Sequence, residues 1–167
     1  MKNTLLNMFL IANHSLLFLC ASIYLGTGVS LVWFSFPIGP ELTPDNYYLQ
    51  FVPQVQAATV FFTVVVKVML TCGTIMLISE WRQRTRWVPI VMMAALIAAS
   101  VLTVYWIFPL NNEMAGHIKD AARVQVVLGE WMNLSRWRMG LWSIEWLALM
   151  WYFARWAYRA RYSALGG

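Results

Sequence analysis

The apolar positions of this chain gather into four long stretches, roughly 10–36, 55–78, 88–108 and 139–157. Each is close to or longer than the roughly 20 residues a helix needs to cross the hydrocarbon layer of a bilayer. Little chain lies outside them. The pattern therefore predicts one all-α integral membrane domain over residues 1–167, folded as a four-transmembrane-helix bundle. The apolar run after Lys2 is too long for a signal core and is read as a retained span.

The polar positions refine this picture. Asn3, Asn7, Asn13 and His14 interrupt the start of the first stretch, so its opening residues are expected along the membrane interface. Ser22, Gly26 and Ser30 recur at every fourth position, which puts small side chains on one face where another helix can approach. A proline-rich connection follows, with Tyr47, Tyr48 and Phe51 as an interfacial aromatic belt. Residues 109–138 form the most polar segment. Asn111 or Asn112 is suited to cap a helix start there, with Glu113 placed well against the helix dipole. Val124, Val127, Leu128, Trp131 and Leu134 share a helical face, predicting an amphipathic outer helix that leads into the fourth span, with a bend at Gly129.

Composition agrees: 60% of residues are hydrophobic and 11% charged, against roughly 25% charged in soluble domains. The net charge of +5 is divided between two sides. Lys2, Arg82, Arg84, Arg86, Arg155, Arg159 and Arg161 fall on one side; Lys119, Arg123, Arg136 and Arg138 fall on the other, with Glu41, Asp45, Glu113, Asp120 and Glu130. The positive-inside rule then puts both termini and the loop at 80–87 in the cytoplasm. The bacterial cytoplasmic (inner) membrane is the expected location. The basic residues do not suggest nucleic-acid binding. Cys20 and Cys72 read as unpaired small hydrophobes within spans.

Few residues are candidates for chemistry. Lys67 sits near the middle of the second stretch, where a charge costs about 2.5–3.5 kcal/mol and normally faces the bundle interior with a partner. Glu145 in the fourth stretch is the candidate partner. The pair reads either as an ion pair fixing helix register or as a functional lysine or carboxylate. Arg136 and Arg138 are placed to meet lipid headgroups, Glu130 or Glu41, or to anchor a substrate through the guanidinium fork. His14 is expected at the interface. His117, on a stripe with Glu113 and Asp120, is a candidate base. The two histidines form no metal-ligand spacing, and no motif demands a cofactor. Trp131, Trp137, Trp142, Trp146, Trp151 and Trp156 crowd the final third, as belt and packing residues or as the lining of an aromatic pocket.

The run Thr103, Pro109, Asn112, Leu128, Trp131, Leu134, Ser135 and Arg138 resembles the signature of the anthrone-oxygenase-like family of small four-span membrane proteins, most without assigned function. Gly26, Gly28, Phe34, Phe36 and Pro37 fit it loosely. Ser135 stands where Asn or His is more usual. The resemblance implies oxidation of an anthrone to an anthraquinone by molecular oxygen as co-substrate, without metal or flavin. It implies Arg138 as the cation for a phenolate, Trp131 as a pocket wall, Asn112 as a donor to a carbonyl, and His117 or Glu145 as base.

Two other readings stay open. The chain could be a non-catalytic subunit of a larger membrane complex or a homo-oligomer, with Asn112, Trp131 and Arg138 pinning the outer helix. It could instead be a small lipid or quinone binder or transporter component using Lys67 and Glu145. In all readings the lipid bilayer is a partner, and in the first a hydrophobic aromatic small molecule is another.

The charge distribution makes a direct prediction. A cysteine introduced by Arg84→Cys is expected to react with a membrane-impermeant maleimide only from the cytoplasmic face. Labelling from outside intact cells would reverse the orientation.

Overall fold

The computed structural model describes residues 2–165, and all regular structure among them is helical. Helix α1 spans Lys2–Ser30 and continues through a π-helical segment, Leu31–Ser35, into a 3-10 segment, Phe36–Glu41. A short α2, Tyr47–Gln50, leads into α3, Val52–Glu80. Helix α4, Trp87–Leu102, passes through a second π-helical segment, Thr103–Ile107, into α5, Phe108–Ala115. Helix α6 spans Ala121–Leu165.

Three helical stretches are long and apolar enough to cross a membrane: Thr4–Glu41, Tyr47–Glu80 and Trp87–Ala115. The expected fourth span, 139–157, lies inside α6 and is not among them. Its tryptophans, Glu145 and Arg155 lower its hydropathy, although it packs against α1 and α4 as a bundle helix would. The amphipathic outer helix leads directly into the last apolar stretch as expected, since α6 runs unbroken for 45 residues. At 1.5 Å per residue that is about 68 Å, more than twice a hydrocarbon layer of roughly 30 Å. Gly129 lies within this helix, exposed, with open space around its α-carbon.

One face of α6 organises the molecule. Val124, Leu128, Trp131, Ser135, Arg138, Trp142, Glu145, Leu149 and Tyr152 follow alternating steps of four and three residues, and each is buried or half-buried. This is the seam expected of a helix packed lengthwise against neighbours. Its first part joins a cluster at one end of the molecule with Phe36, Tyr47, Val52, Ile107 and Met114. Its second part joins the bundle core with Leu17, Tyr24, Met69, Met76, Met92 and Leu96.

Helix ends depart from the sequence expectation. Asn111 and Asn112 lie inside α5 rather than capping a helix. Asp120 does the capping, accepting a hydrogen bond from the Ala122 N–H at 3.0 Å and starting α6. Of the small residues in α1, Gly26 has open space around it, whereas Gly28 is the point of close approach. A β-carbon at Gly28 would lie 2.9 Å from Met139 Cγ and 3.0 Å from the Trp142 ring. Cys20 and Cys72 are free and buried.

Gly28→Ala is expected to lower the melting temperature in detergent relative to Gly26→Ala, because only the former overpacks, at a cost of about 1–3 kcal/mol. Equal melting temperatures would remove Gly28 as the α1–α6 contact point.

Candidate functional site

Two regions gather polar groups against apolar walls. The first is a groove of about 340 Å³ between the start of α3 and α5. Phe51 and Phe108 supply aromatic walls, and Gln56, Asn111 and Asn112 supply amides. Proline at 53 and 109 opens both helices, where a missing N–H costs nothing. Tyr47 holds this end together. Its ring is fully buried, its hydroxyl donates to the Met114 carbonyl at 3.1 Å and accepts from the Ile118 N–H. The turn between α5 and α6 is thereby tied to α2.

The second region is the interior face of α6. Arg138 is half-buried, with its guanidinium 4.8 Å from the centre of the Trp142 ring. Its Nη1 reaches Thr103 Oγ1 at 3.5 Å and its Nη2 reaches Ser135 Oγ at 3.4 Å, while Nε is enclosed with no partner. Thr103 opens the π-helical segment of 103–107, a distortion often found at functional sites. Two turns further along α6, Glu145 is fully buried, and neither carboxyl oxygen has a hydrogen-bond partner. Tyr24 of α1 lies within electrostatic reach of both Arg138 and Glu145. Its ring meets Trp142 edge-on at 4.7 Å and its hydroxyl donates to the Phe62 carbonyl at 3.3 Å.

The sequence-derived candidates therefore separate. Asn112 lines the groove. Trp131 lies behind it, with its indole N–H donating to Asn111 Oδ1 at 2.8 Å and its ring edge-on to Phe51 at 4.7 Å. Arg138 and Glu145 belong to the α6 interior and do not line the groove. His117 stands in the turn after α5 at φ 59, a left-handed position more usual for glycine, and stacks on Tyr48 at 4.3 Å. It does not share a helix stripe with Glu113 and Asp120, because α5 has ended before it.

The expected Lys67–Glu145 ion pair is corrected. Lys67 is exposed on the outer surface of α3, whereas Glu145 points inward without a partner. The inward positions on either side of Lys67 are Val65 and Met69, so the helix phase turns Lys67 away from the core. Arg136, which is exposed, lies over the Phe36 ring at 5.3 Å. Glu113 pairs with Arg123 in a two-bond contact of 2.6 and 2.8 Å. That carboxylate favours the charged form of Arg123 and raises its affinity for the proton.

A third polar group was invisible in the sequence. At the opposite end of the bundle, beside the end of α3, His14 is buried. Its ring nitrogens lie 3.5 Å from Ser79 Oγ and 3.5 Å from the Tyr152 hydroxyl. Tyr152 donates to Glu80 Oε1 at 2.9 Å, and Thr85 donates to the other carboxylate oxygen. Asn13 is buried beside it, donating to the Cys72 carbonyl at 3.0 Å. Only the four-three repeat along α6, which includes Tyr152, could have pointed here. Among the described residues no three His, Cys, Asp or Glu side chains converge as a metal site would require. Comparison with known proteins found no matching family model, curated protein or solved structure.

Tyr47→Phe leaves the Ile118 N–H and Met114 carbonyl without their shared partner. A stability loss of about 1–3 kcal/mol is expected, with faster amide exchange confined to residues 114–120. Unchanged exchange there would show that Tyr47 acts by ring packing alone.

Proposed function

We propose that this chain is an integral membrane protein that takes a flat, hydrophobic aromatic molecule into the groove between α3 and α5. Carrying the proposal is the groove itself, with aromatic walls from Phe51 and Phe108 and three amides from Gln56, Asn111 and Asn112. Its volume falls in the range of small-molecule sites, which are mostly apolar with a few polar groups that fix orientation. Amide donors suit the carbonyl and hydroxyl oxygens of a hydroxylated polycycle. The Trp131–Asn111 hydrogen bond holds one of those amides in place.

The anthrone-oxygenase resemblance supplies the chemistry proposed for this groove. A donor on the anthrone carbonyl stabilises the negative charge left when the activated methylene loses its proton. The carbanion then reacts with molecular oxygen. One oxygen atom becomes the new carbonyl and the other leaves as water, so the ring is oxidised and oxygen reduced in balance. Asn112 is the proposed donor. His117 and Glu145, both set away from the groove, are not assigned as base, and solvent at the open groove takes the proton.

The proposed setting is a bacterial cytoplasmic membrane with both termini inside. Its support is that the basic loop after α3 and the basic end of α6 share one end of the bundle, as the Tyr152–Glu80 contact requires. A second reading, a non-catalytic subunit of a larger membrane complex, is favoured by one observation: no titratable side chain lines the groove.

The test is oxygen uptake and anthraquinone absorbance with a hydroxyanthrone in proteoliposomes. Turnover above protein-free vesicles is expected, falling about tenfold or more in Asn112→Ala, the usual order for loss of one oxyanion donor being 10²–10³. Turnover equal to protein-free vesicles, with a stable co-purifying membrane protein, would replace the oxygenase reading with the subunit reading.

A further inference from the structure

The α6 seam carries polar groups where a bundle core would ordinarily be apolar. Arg138, Glu145 and Tyr152 are spaced by seven residues, so their side chains lie above one another along the helix at intervals of about 10 Å. Ionisable groups inside a bilayer are rare and costly, and they typically mark ion or proton pathways. Glu145 is the extreme case, being fully buried with both oxygens unpartnered. No ion pair neutralises it among the described residues, where the salt bridge is Arg123–Glu113. A carboxylate in that position has no hydrogen bond to stabilise its charge, whereas the protonated form is tolerated.

We propose that the buried face of α6 is a proton path that loads Glu145 from the His14–Glu80 end of the bundle, and that Arg138 closes it toward the opposite end. The proposal is independent of what the groove binds. Its first support is the unpartnered Glu145 carboxyl. Its second is the network two turns away, where Tyr152 on the same seam bonds Glu80 and approaches His14. Glu80 adjoins the basic loop at 81–86, which contains Thr85 and whose Arg82 and Arg84 are exposed. Protons from that surface reach Glu80 or His14, pass through the Tyr152 hydroxyl, and arrive on the Glu145 carboxylate as a neutral acid. The remaining span between Tyr152 and Glu145 is crossed by side-chain rotation with a transient water.

The other groups around Glu145 fit this direction. Tyr24 of α1 lies within electrostatic reach of it, and the adjoining core holds Cys20 of α1 and Cys72, Met69 and Met76 of α3. None is a cation. On α6 the fixed positive charge of Arg138 stands between Glu145 and the Thr103–Ser135 end. A buried arginine is an electrostatic barrier to protons.

The test is infrared spectroscopy of the full chain in lipid nanodiscs. A protonated-carboxyl band that disappears in Glu145→Gln is expected, shifting on transfer to heavy water. Its exchange is expected to slow about tenfold or more in Tyr152→Phe and in His14→Asn, since positioned proton carriers contribute factors of about 10²–10⁴. Arg138→Gln is expected to leave exchange as fast or make it faster. Absence of any carboxyl band sensitive to Glu145→Gln would overturn the proposal. So would unchanged exchange in Tyr152→Phe, which loses one hydroxyl and tests the path even where His14→Asn fails to fold. Slower exchange in Arg138→Gln would overturn the closure and make Arg138 part of the path.

Discussion

Continuous burial of one face of α6 is the constraint on which the rest depends. That face enters the bundle core through Trp142, Leu149 and Tyr152 and the end cluster through Val124, Leu128 and Trp131. Both cores are built on one face of the same unbroken 45-residue helix. Gly28 allows α1 to reach it, and Tyr47 fixes the turn from which it starts. The phase of α6 therefore sets the depth at which Arg138 and Glu145 enter the interior.

The polar groups separate by depth. At one end, amides and aromatics form an open groove without a titratable group. In the middle, Arg138 and Glu145 are enclosed, two turns apart, with Tyr24 reaching toward both. At the other end, His14, Ser79, Glu80, Thr85 and Tyr152 satisfy one another. Satisfied networks can be purely structural. The unpartnered carboxyl is different, because burying it without compensation is unfavourable.

Lys67 shows the limits of depth as a guide. Its place near the middle of an apolar stretch suggests an inward-facing cation, yet the helix phase turns it outward. Val65, Met69, Cys72 and Met76 occupy the buried face of α3, and Lys67 falls between them on the opposite side. Periodicity is weak in such a helix because lipid-facing and core-facing residues are both apolar. The pattern that locates a buried face in soluble helices is therefore nearly silent here.

The sequence by itself determined the all-helical class, the apolar stretches and the amphipathic start of α6, because these follow from composition and local spacing. It also singled out Asn112, Trp131, Arg138 and Glu145 as residues of interest. The tertiary structure alone decided which of them meet. It joined Asn112 to a groove with Phe51, set Arg138 and Glu145 in a separate interior, and left Lys67 outside. It also brought His14, Glu80 and Tyr152 together from three distant helices. Helix phase and pairing are set by side-chain packing over long sequence separations, and no local pattern in an apolar chain encodes them.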